Sequence, residues 1–397
     1  MRNETTGQAT VEPVMLDRRS VWQLTGAGLT LIGVCYGLGR FAYGLFVPVF
    51  REEFTLTPAV AGTVASGAYI AYCIAIIFAT LLTPRLGGQA VAVSAGCIAA
   101  VGTLTVALAP NAIVLAAGVL VAGASTGVAS PPLAYAVARH VPEARRDRVQ
   151  TVINAGTGVG VAVAGPVALL THEHWRLAWV AFAVLCTLVT VWNLRMVPGR
   201  TRGEPREAAS AFLPRPLFPV GSVRLMGGAL LMGISSAAVW TFGRDLLVTE
   251  GEMSEPASMI GWIILGTFGI LGAGAGDLAR VVGIRAGWLA TMILLGASTA
   301  LLALLPGNVL GAWTALAIFG ASYIVLTGLM LVWTLLVYAQ TPAAGVGLSF
   351  LTVALGQAVA APAIGALSEL TGAPGAFIAM LPLAIVGGLC RPAPMGA

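Results

Sequence analysis

One arginine sits where a charge is costly. Arg40 lies in the segment Gly37-Leu-Gly39-Arg40-Phe41-Ala42-Tyr43, near the middle of an apolar run from Trp22 to Phe50. A guanidinium cannot lose its proton in a protein. At the centre of a membrane-spanning helix it costs about 2.5–3.5 kcal/mol on insertion scales. Such a group needs a cavity or a partner, and two roles fit it. Arg40 can bind an anionic or strongly polar group of a ligand, or it can cap backbone carbonyls at a helix break. At 100° per residue, Gly26, Gly33, Gly37 and Gly44 form one stripe, with Arg40 at its edge and Tyr36 and Tyr43 just beyond. Small residues let another helix come close, so the Arg and Tyr groups are predicted to look into a central space. Leu31, Leu38, Ala42 and Leu45 take the opposite face, against lipid or other helices.

Other polar and aromatic groups fall within apolar runs. Gln357 lies mid-run next to Gly356, and Tyr69, Trp240, Tyr323 and Trp333 are aromatics at comparable depth. Pore lining and helix packing are both open to them. Asn154 fits an interhelical hydrogen bond, and Ser130-Pro131-Pro132 is predicted to bend or interrupt its helix. No Asp or Glu lies in the middle of any apolar run, and His140, His172 and His174 fall between runs. Asp245 beside Arg244, Asp277, and Glu52 with Glu53 read as solvated charges at run ends, as do Glu250, Glu252 and Glu255. His172-Glu173-His174 lacks the spacing of a helical metal site and reads as a surface turn. The five cysteines form no CxxC pair, so neither a zinc site nor a disulfide framework is indicated. No phosphate-binding glycine loop, nucleotide fingerprint or nucleophile motif occurs, which argues against ATP-driven pumping and catalysis. No cofactor is expected.

The elements that must position these residues are dictated by composition. Of 397 residues, 58% are hydrophobic and 9% charged; mean hydropathy is +0.91. A soluble chain would carry roughly 25% charged residues. Residues 286–368 contain no Asp, Glu, Lys, Arg or His, and neither do residues 86–138. A span needs about 20 apolar residues, so these stretches hold three spans and two. The whole chain gives twelve, the first at Trp22–Phe50 and the eighth and ninth at Ser258–Gly276 and Ile284–Leu305. The runs are too long and continuous for barrel strands, which alternate over about 10 residues. All 21 basic residues are Arg. With the N-terminus in the cytoplasm, seventeen fall on inner segments and three, Arg51, Arg176 and Arg244, on outer ones, which fixes the orientation by the positive-inside rule. The basic charge therefore belongs to membrane topology and gives no nucleic-acid signal. The first twenty residues show no signal-peptide pattern. Residues 1–21 read as a cytoplasmic tail, 22–196 as six spans, 197–221 as a Pro- and Arg-rich cytoplasmic linker, 222–391 as six more spans and 392–397 as a tail, with both termini cytoplasmic.

Sliding one half on the other by 196 places brings Gly37 onto Gly233, Gly87 onto Gly283, Pro110 onto Pro306, Gly160 onto Gly356 and Pro166 onto Pro362. Parallel six-helix repeats around a midplane site are one architecture of secondary transporters. Six spans, a basic linker and six spans resemble the major facilitator superfamily over nearly the whole chain. The Gly-x-Gly-Arg-Phe-Ala-Tyr run at Gly37–Tyr43 is similar to a first-helix signature of its bacterial YbfB-like branch. Gly160-Val-Ala-Val-Ala-Gly165-Pro166 is similar to the superfamily's Gly-Pro motif, associated with exporters. In the superfamily's Gly-x-x-x-Asp-Arg-x-Gly loop this chain departs: Arg85 and Gly87 are present, but Pro84 replaces the Asp. The second half has Arg280 and Gly283, with Asp277 three residues early.

The resemblance implies a monomeric, all-helical transporter of the bacterial inner membrane that rocks between inward- and outward-open states around a small organic solute, with export slightly preferred. The residues assigned to the solute are Arg40, Tyr36, Tyr43, Tyr69, Trp240, Tyr323 and Gln357. Those assigned to gating and close packing are Gly37, Arg85, Gly87, Gly160, Gly165, Pro166, Asp277 and Pro362. The alternatives are multidrug efflux with Arg40 structural, and a membrane sensor that binds a ligand without moving it.

Overall fold

The computed structural model describes residues 15–171, 174–199 and 216–392, and the described residues contain no strand. The expected all-helical membrane architecture is present. We number the helices α1 (Arg18–Glu53), α2 (Pro58–Leu86), α3 (Gly88–Ala107), α4 (Ala112–His140), α5 (Glu143–Leu170) and α6 (Trp175–Met196). The second series is α7 (Ser222–Thr249), α8 (Glu255–Gly269), α9 (Ile284–Leu304), α10 (Val309–Val337), α11 (Pro342–Thr371) and α12 (Ala373–Leu389).

Polar residues between the apolar runs start these helices by satisfying orphan N–H groups. Asp17 accepts from Ser20 N at 3.0 Å, and these bonds hold its carboxyl below the usual carboxylate range. Thr57 accepts from Val60 N at 3.3 Å ahead of Pro58, and Asn111 accepts from Ile113 N and Val114 N. Asn308 accepts from Gly311 N at 2.8 Å. At the other end Gly87 stops α2 at φ 88°, and Gly283 stands before α9 at φ 84°. A residue with a Cβ is strained there. These two glycines are a repeat pair, so one unusual backbone shape recurs in the two halves. Outward faces are apolar: Ile70, Ile74, Phe78 and Leu82, four residues apart on α2, are all exposed. That stripe suits hydrocarbon rather than water.

Several expectations need correction. Helix α1 begins four residues before the expected first span and ends three after it, and its centre, Gly33–Phe41, is a π-helix. Spans eight and nine are joined by helical turns over Ile270–Gly283, so Glu255–Leu304 is continuous at 50 residues. At 1.5 Å per residue that is far longer than one bilayer crossing, and within it Gly283 departs from helical geometry at φ 84°. Pro131 and Pro132 do not interrupt α4, which runs through them. Of the two settings open to Leu31, Leu38, Ala42 and Leu45, the structure shows helix packing, since all four are buried. The tail 1–21, the linker 197–221 and the tail 392–397 fall largely outside the described residues, as do His172 and Glu173.

Within each half the same packing recurs. Helix α1 meets α5 where a Cβ on Gly37 would lie 2.3 Å from Gly160 C. Helix α7 meets α11 where a Cβ on Gly233 would lie 2.1 Å from Val353 O, and one on Gly356 would lie 3.2 Å from Gly233 Cα. Between halves, α2 lies on α11 and α5 on α8, and the second part of α1 lies on α7. Small residues mediate these crossings: Gly62 against Ala361 and Pro362, and Gly165 against Ile263. The glycine stripe of α1 therefore does not face one partner. Gly33 and Gly37 face α5, whereas a Cβ on Gly44 would lie 2.0 Å from Trp240 O on α7. The π segment, which carries Gly33 and Gly37 and ends before Gly44, changes the angular step, so a 100° wheel cannot carry through it.

Candidate functional site

The π segment holds Arg40 between the halves. π segments are rare, and frequent at functional sites. Arg40 is 7% exposed. Its Cζ lies 4.6 Å from the ring centre of Tyr69, 4.8 Å from Tyr72, 5.1 Å from Phe41 and 5.9 Å from Tyr36. Ring faces attract a cation, by about 2 kcal/mol or more when desolvated. One polar side chain completes the shell: Nη2 donates to Gln357 Oε1 on α11. Gln357 Nε2 in turn donates to Ser236 Oγ (3.2 Å) and Tyr323 OH (3.4 Å). Arg40 Nε is buried without a partner among the described residues, and among them no carboxylate contacts the guanidinium. The charge is thus held by rings and one amide, with donor capacity left over.

Tyr36, Arg40, Tyr323 and Gln357 line one cavity, together with Tyr72, Asn154, Thr157, Thr327 and Phe350. Its volume is about 20 Å³, and one water needs about 10–15 Å³ on that scale. The cavity admits a water or two, so a solute enters only if walls move. Tyr69 touches Arg40 from behind and does not line it. Trp240 stacks on Phe41 at 3.8 Å and meets Tyr323 edge-on at 5.1 Å, forming a roof that joins the halves. Tyr43 stands apart: its OH donates to Ala61 O at 2.9 Å, and its ring packs on Phe50. Tyr36 OH shares a 3.0 Å bond with Ser130 Oγ. Tyr72 escaped the sequence reading, and Phe41 stood there only as part of the Gly37–Tyr43 run, without a site role. Tyr72 could have been found, because it lies three residues from Tyr69 on one face of α2.

Beyond the aromatic roof the halves are locked by charge. Arg244 and Asp245, read as solvated, are 0% and 5% exposed. Asp245 pairs with Arg51 across the halves. Arg244 donates to Leu45 O of α1 at 2.7 Å, to Ser258 Oγ at 3.0 Å and to Glu255. Close packing of α1 on α7 at Gly44 buries this end, which a chain-by-chain hydropathy reading does not see. Nearby, Glu53 pairs with Arg176 at 2.7 Å and accepts from Trp175 Nε1. On the side nearer Arg18, Asn154 Nδ2 donates to Thr327 Oγ1 at 3.1 Å, a neutral link between halves.

The gating assignments distribute differently. Gly37 and Gly160 form the tight crossing of α1 on α5. Pro166 and Pro362 lie inside the continuous helices α5 and α11. Asp277 pairs with Arg280 one turn away, both largely exposed, so that pair links nothing across the molecule. Arg85 is exposed at the end of α2, beside Gly87.

The family described as Major Facilitator Superfamily matches residues 29–352. Among solved structures the chain is similar to a bacterial homolog of the human lysosomal transporter Spinster in an inward-facing, unoccupied conformation. The TM-score is 0.74 at 16% identity, over 96% of this chain and 100% of that one. The occupied form of that protein gives 0.77 at 16% identity, over 95% and 99%. A nucleoside transporter, NupG, gives 0.72 at 13% identity, over 92% and 98%. No curated protein matches the chain.

Proposed function

The chain belongs to the major facilitator superfamily and is a secondary transporter, and from that premise we propose that it carries a small organic anion, bound at Arg40 between the two halves. The observation that supports this reading is the unneutralised guanidinium. Arg40 is buried at mid-helix, contacts no carboxylate among the described residues and keeps an unpartnered donor beside a cavity lined by both halves. An anionic group there exchanges the neutral Gln357 acceptor for a charged one, so that the guanidinium gains an ion pair and can take a bidentate geometry. Tyr36 and Tyr72 of the first half and Tyr323 of the second supply ring faces for the solute body.

Release of the Arg40–Gln357 link frees the halves to rock. In this conformer the end carrying Arg51, Arg244 and Asp245 is closed. Opening it requires breaking those bonds, while the Asn154–Thr327 link closes the other side. With the Arg18 end cytoplasmic, as the arginine bias indicates, the charged lock faces outward. Resemblance of Gly160–Pro166 to the Gly-Pro motif supports export. The Gly37–Tyr43 run supports membership of the YbfB-like branch.

A second reading has Arg40 purely structural, in an exporter of apolar compounds. The closed ring cage around the guanidinium favours it. Counterflow of labelled organic acids in proteoliposomes separates the two. Arg40→Gln should cut anion exchange by roughly 10–100-fold, the value of a hydrogen bond to a charged group, and Arg40→Lys should retain part of it. Wild-type exchange by Arg40→Gln overturns the anion reading, and binding without exchange overturns transport of that solute.

A further inference from the structure

A second cavity, of about 200 Å³, lies between the first turns of α1 and α5, and its lining includes Arg18, Arg145 and Arg148 together with Trp22, Val149 and Val152. We propose that it binds an anionic phospholipid of the leaflet at the Arg18 end, with the phosphodiester among the three arginines and an acyl chain along the apolar wall.

The wall and the rim differ in chemistry. Val149 is buried and Trp22 is 55% exposed. All three arginines are exposed, and none has an ion pair or side-chain hydrogen bond among the described residues. Of the nearby acids whose side chains are described, Asp17 is engaged with Ser20 at the start of α1, and Glu143 opens α5; neither lines the cavity.

The cavity also turns away from the solute path. Asn154 and Thr157 of α5 line the central cavity. At 100° per residue, Arg145, Arg148, Val149 and Val152 all fall within roughly 60° of the direction opposite Asn154. No residue of the second half lines it. The groove therefore faces out of the bundle, where lipid stands. A cationic rim above an apolar slot at the membrane–water boundary matches a headgroup and chain together, and basic pockets between transmembrane helices bind anionic headgroups. A tryptophan at that level is a common interfacial anchor.

The test is thermal unfolding of the full chain in neutral detergent, with phosphatidylglycerol, phosphatidylcholine or inorganic phosphate added. A ligand that binds only the folded state raises the melting temperature by mass action. Phosphatidylglycerol should raise it by roughly 3 °C, while phosphatidylcholine and phosphate should not. The triple variant Arg18→Gln, Arg145→Gln, Arg148→Gln should lose the rise. A control with Arg195→Gln, Arg285→Gln and Arg391→Gln, equal in charge but elsewhere, should keep it. An equal rise in the first triple variant, with phosphatidylcholine, or with phosphate alone overturns the lipid site. So does a rise that needs residues 1–14 removed, because the chain's own N-terminal segment then occupies the groove.

Discussion

Arg40 of α1 donates to Gln357 of α11, so a permanent cation of one half rests on an uncharged amide of the other. That choice of partner has a consequence. An amide satisfies a donor but leaves the charge available; a carboxylate would not. Gln357→Glu places an anion where the solute's own is proposed to bind. Anion exchange should then fall by roughly 10–100-fold, while the melting temperature holds or rises, because a buried cation has gained a partner. Counterflow and thermal unfolding on the same preparation check both halves of the statement. Unchanged exchange would show that the solute does not compete with Gln357.

The glycine contacts give a prediction about stability alone. A Cβ on Gly160 would lie 2.0 Å from Gly33 O, and one on Gly233 would lie 2.1 Å from Val353 O. Backbone cannot yield as a side chain can, so Gly160→Ala and Gly233→Ala should each destabilise by about 1–3 kcal/mol, the usual cost of overpacking. Gly276 and Gly347 have nothing within 4 Å of the added carbon. Alanine there should be neutral or slightly stabilising, since glycine is the poorer helix former. Melting temperatures of the four variants in one detergent test this.

The features legible in the sequence came from single-chain chemistry. Long uncharged runs dictate helices, and the spacing of Gly87 and Gly283 exposed a repeat whose two copies share one positive φ. Arg40 and Gln357 stood out because polar groups are costly at depth, Tyr36 and Tyr323 as aromatics carrying a hydroxyl there, and the four meet at one cavity. The features that stayed hidden depend on which helices touch. Arg244 and Asp245 sit at the end of a run, where charge is ordinarily solvated; packing of α7 on α1 buries them. Tyr43 is two positions from Phe41, yet the π segment ends between them and Tyr43 turns toward Ala61. No hydropathy or wheel argument carries that change of angular step.

The charged lock should set the balance between conformers. Asp245→Asn removes the Arg51–Asp245 attraction between halves but leaves Arg51 partly exposed and able to reach water. Its effect is expected to be a shift of population toward opening at that end. Arg244→Ala removes contacts to Leu45 O, Ser258 and Glu255 at a fully buried site, and should cost about 3 kcal/mol of stability as well. Spin labels at Val60→Cys on α2 and Leu310→Cys on α10, with native cysteines replaced, report the separation of the halves at that end. A longer-distance population in Asp245→Asn is the expected result. Identical distance distributions in the parent and Asp245→Asn would remove the lock assignment.

The ring cage separates the two readings of Arg40 by the use each ring serves. If Tyr69 and Tyr72 act through their faces, the phenol oxygen is secondary, so Tyr69→Phe and Tyr72→Phe should keep the melting temperature close to the parent. Leucine removes the face and leaves a cation in an apolar pocket. Tyr69→Leu should then cost about 1–2 kcal/mol, as expected for loss of a desolvated cation–π contact plus imperfect filling. The effect of each ring on transport depends on its position. Tyr69 touches Arg40 but does not line the cavity, whereas Tyr72 does both. Tyr72→Phe should therefore weaken the apparent affinity for an anion without much loss of stability, because it removes a hydroxyl from the cavity's polar lining. Tyr69→Phe should alter neither. Concentration dependence of counterflow beside the melting curves distinguishes the two. Equal affinity loss in both phenylalanine variants would show that the rings support Arg40 alone and that the cavity at Tyr72 does not receive the solute.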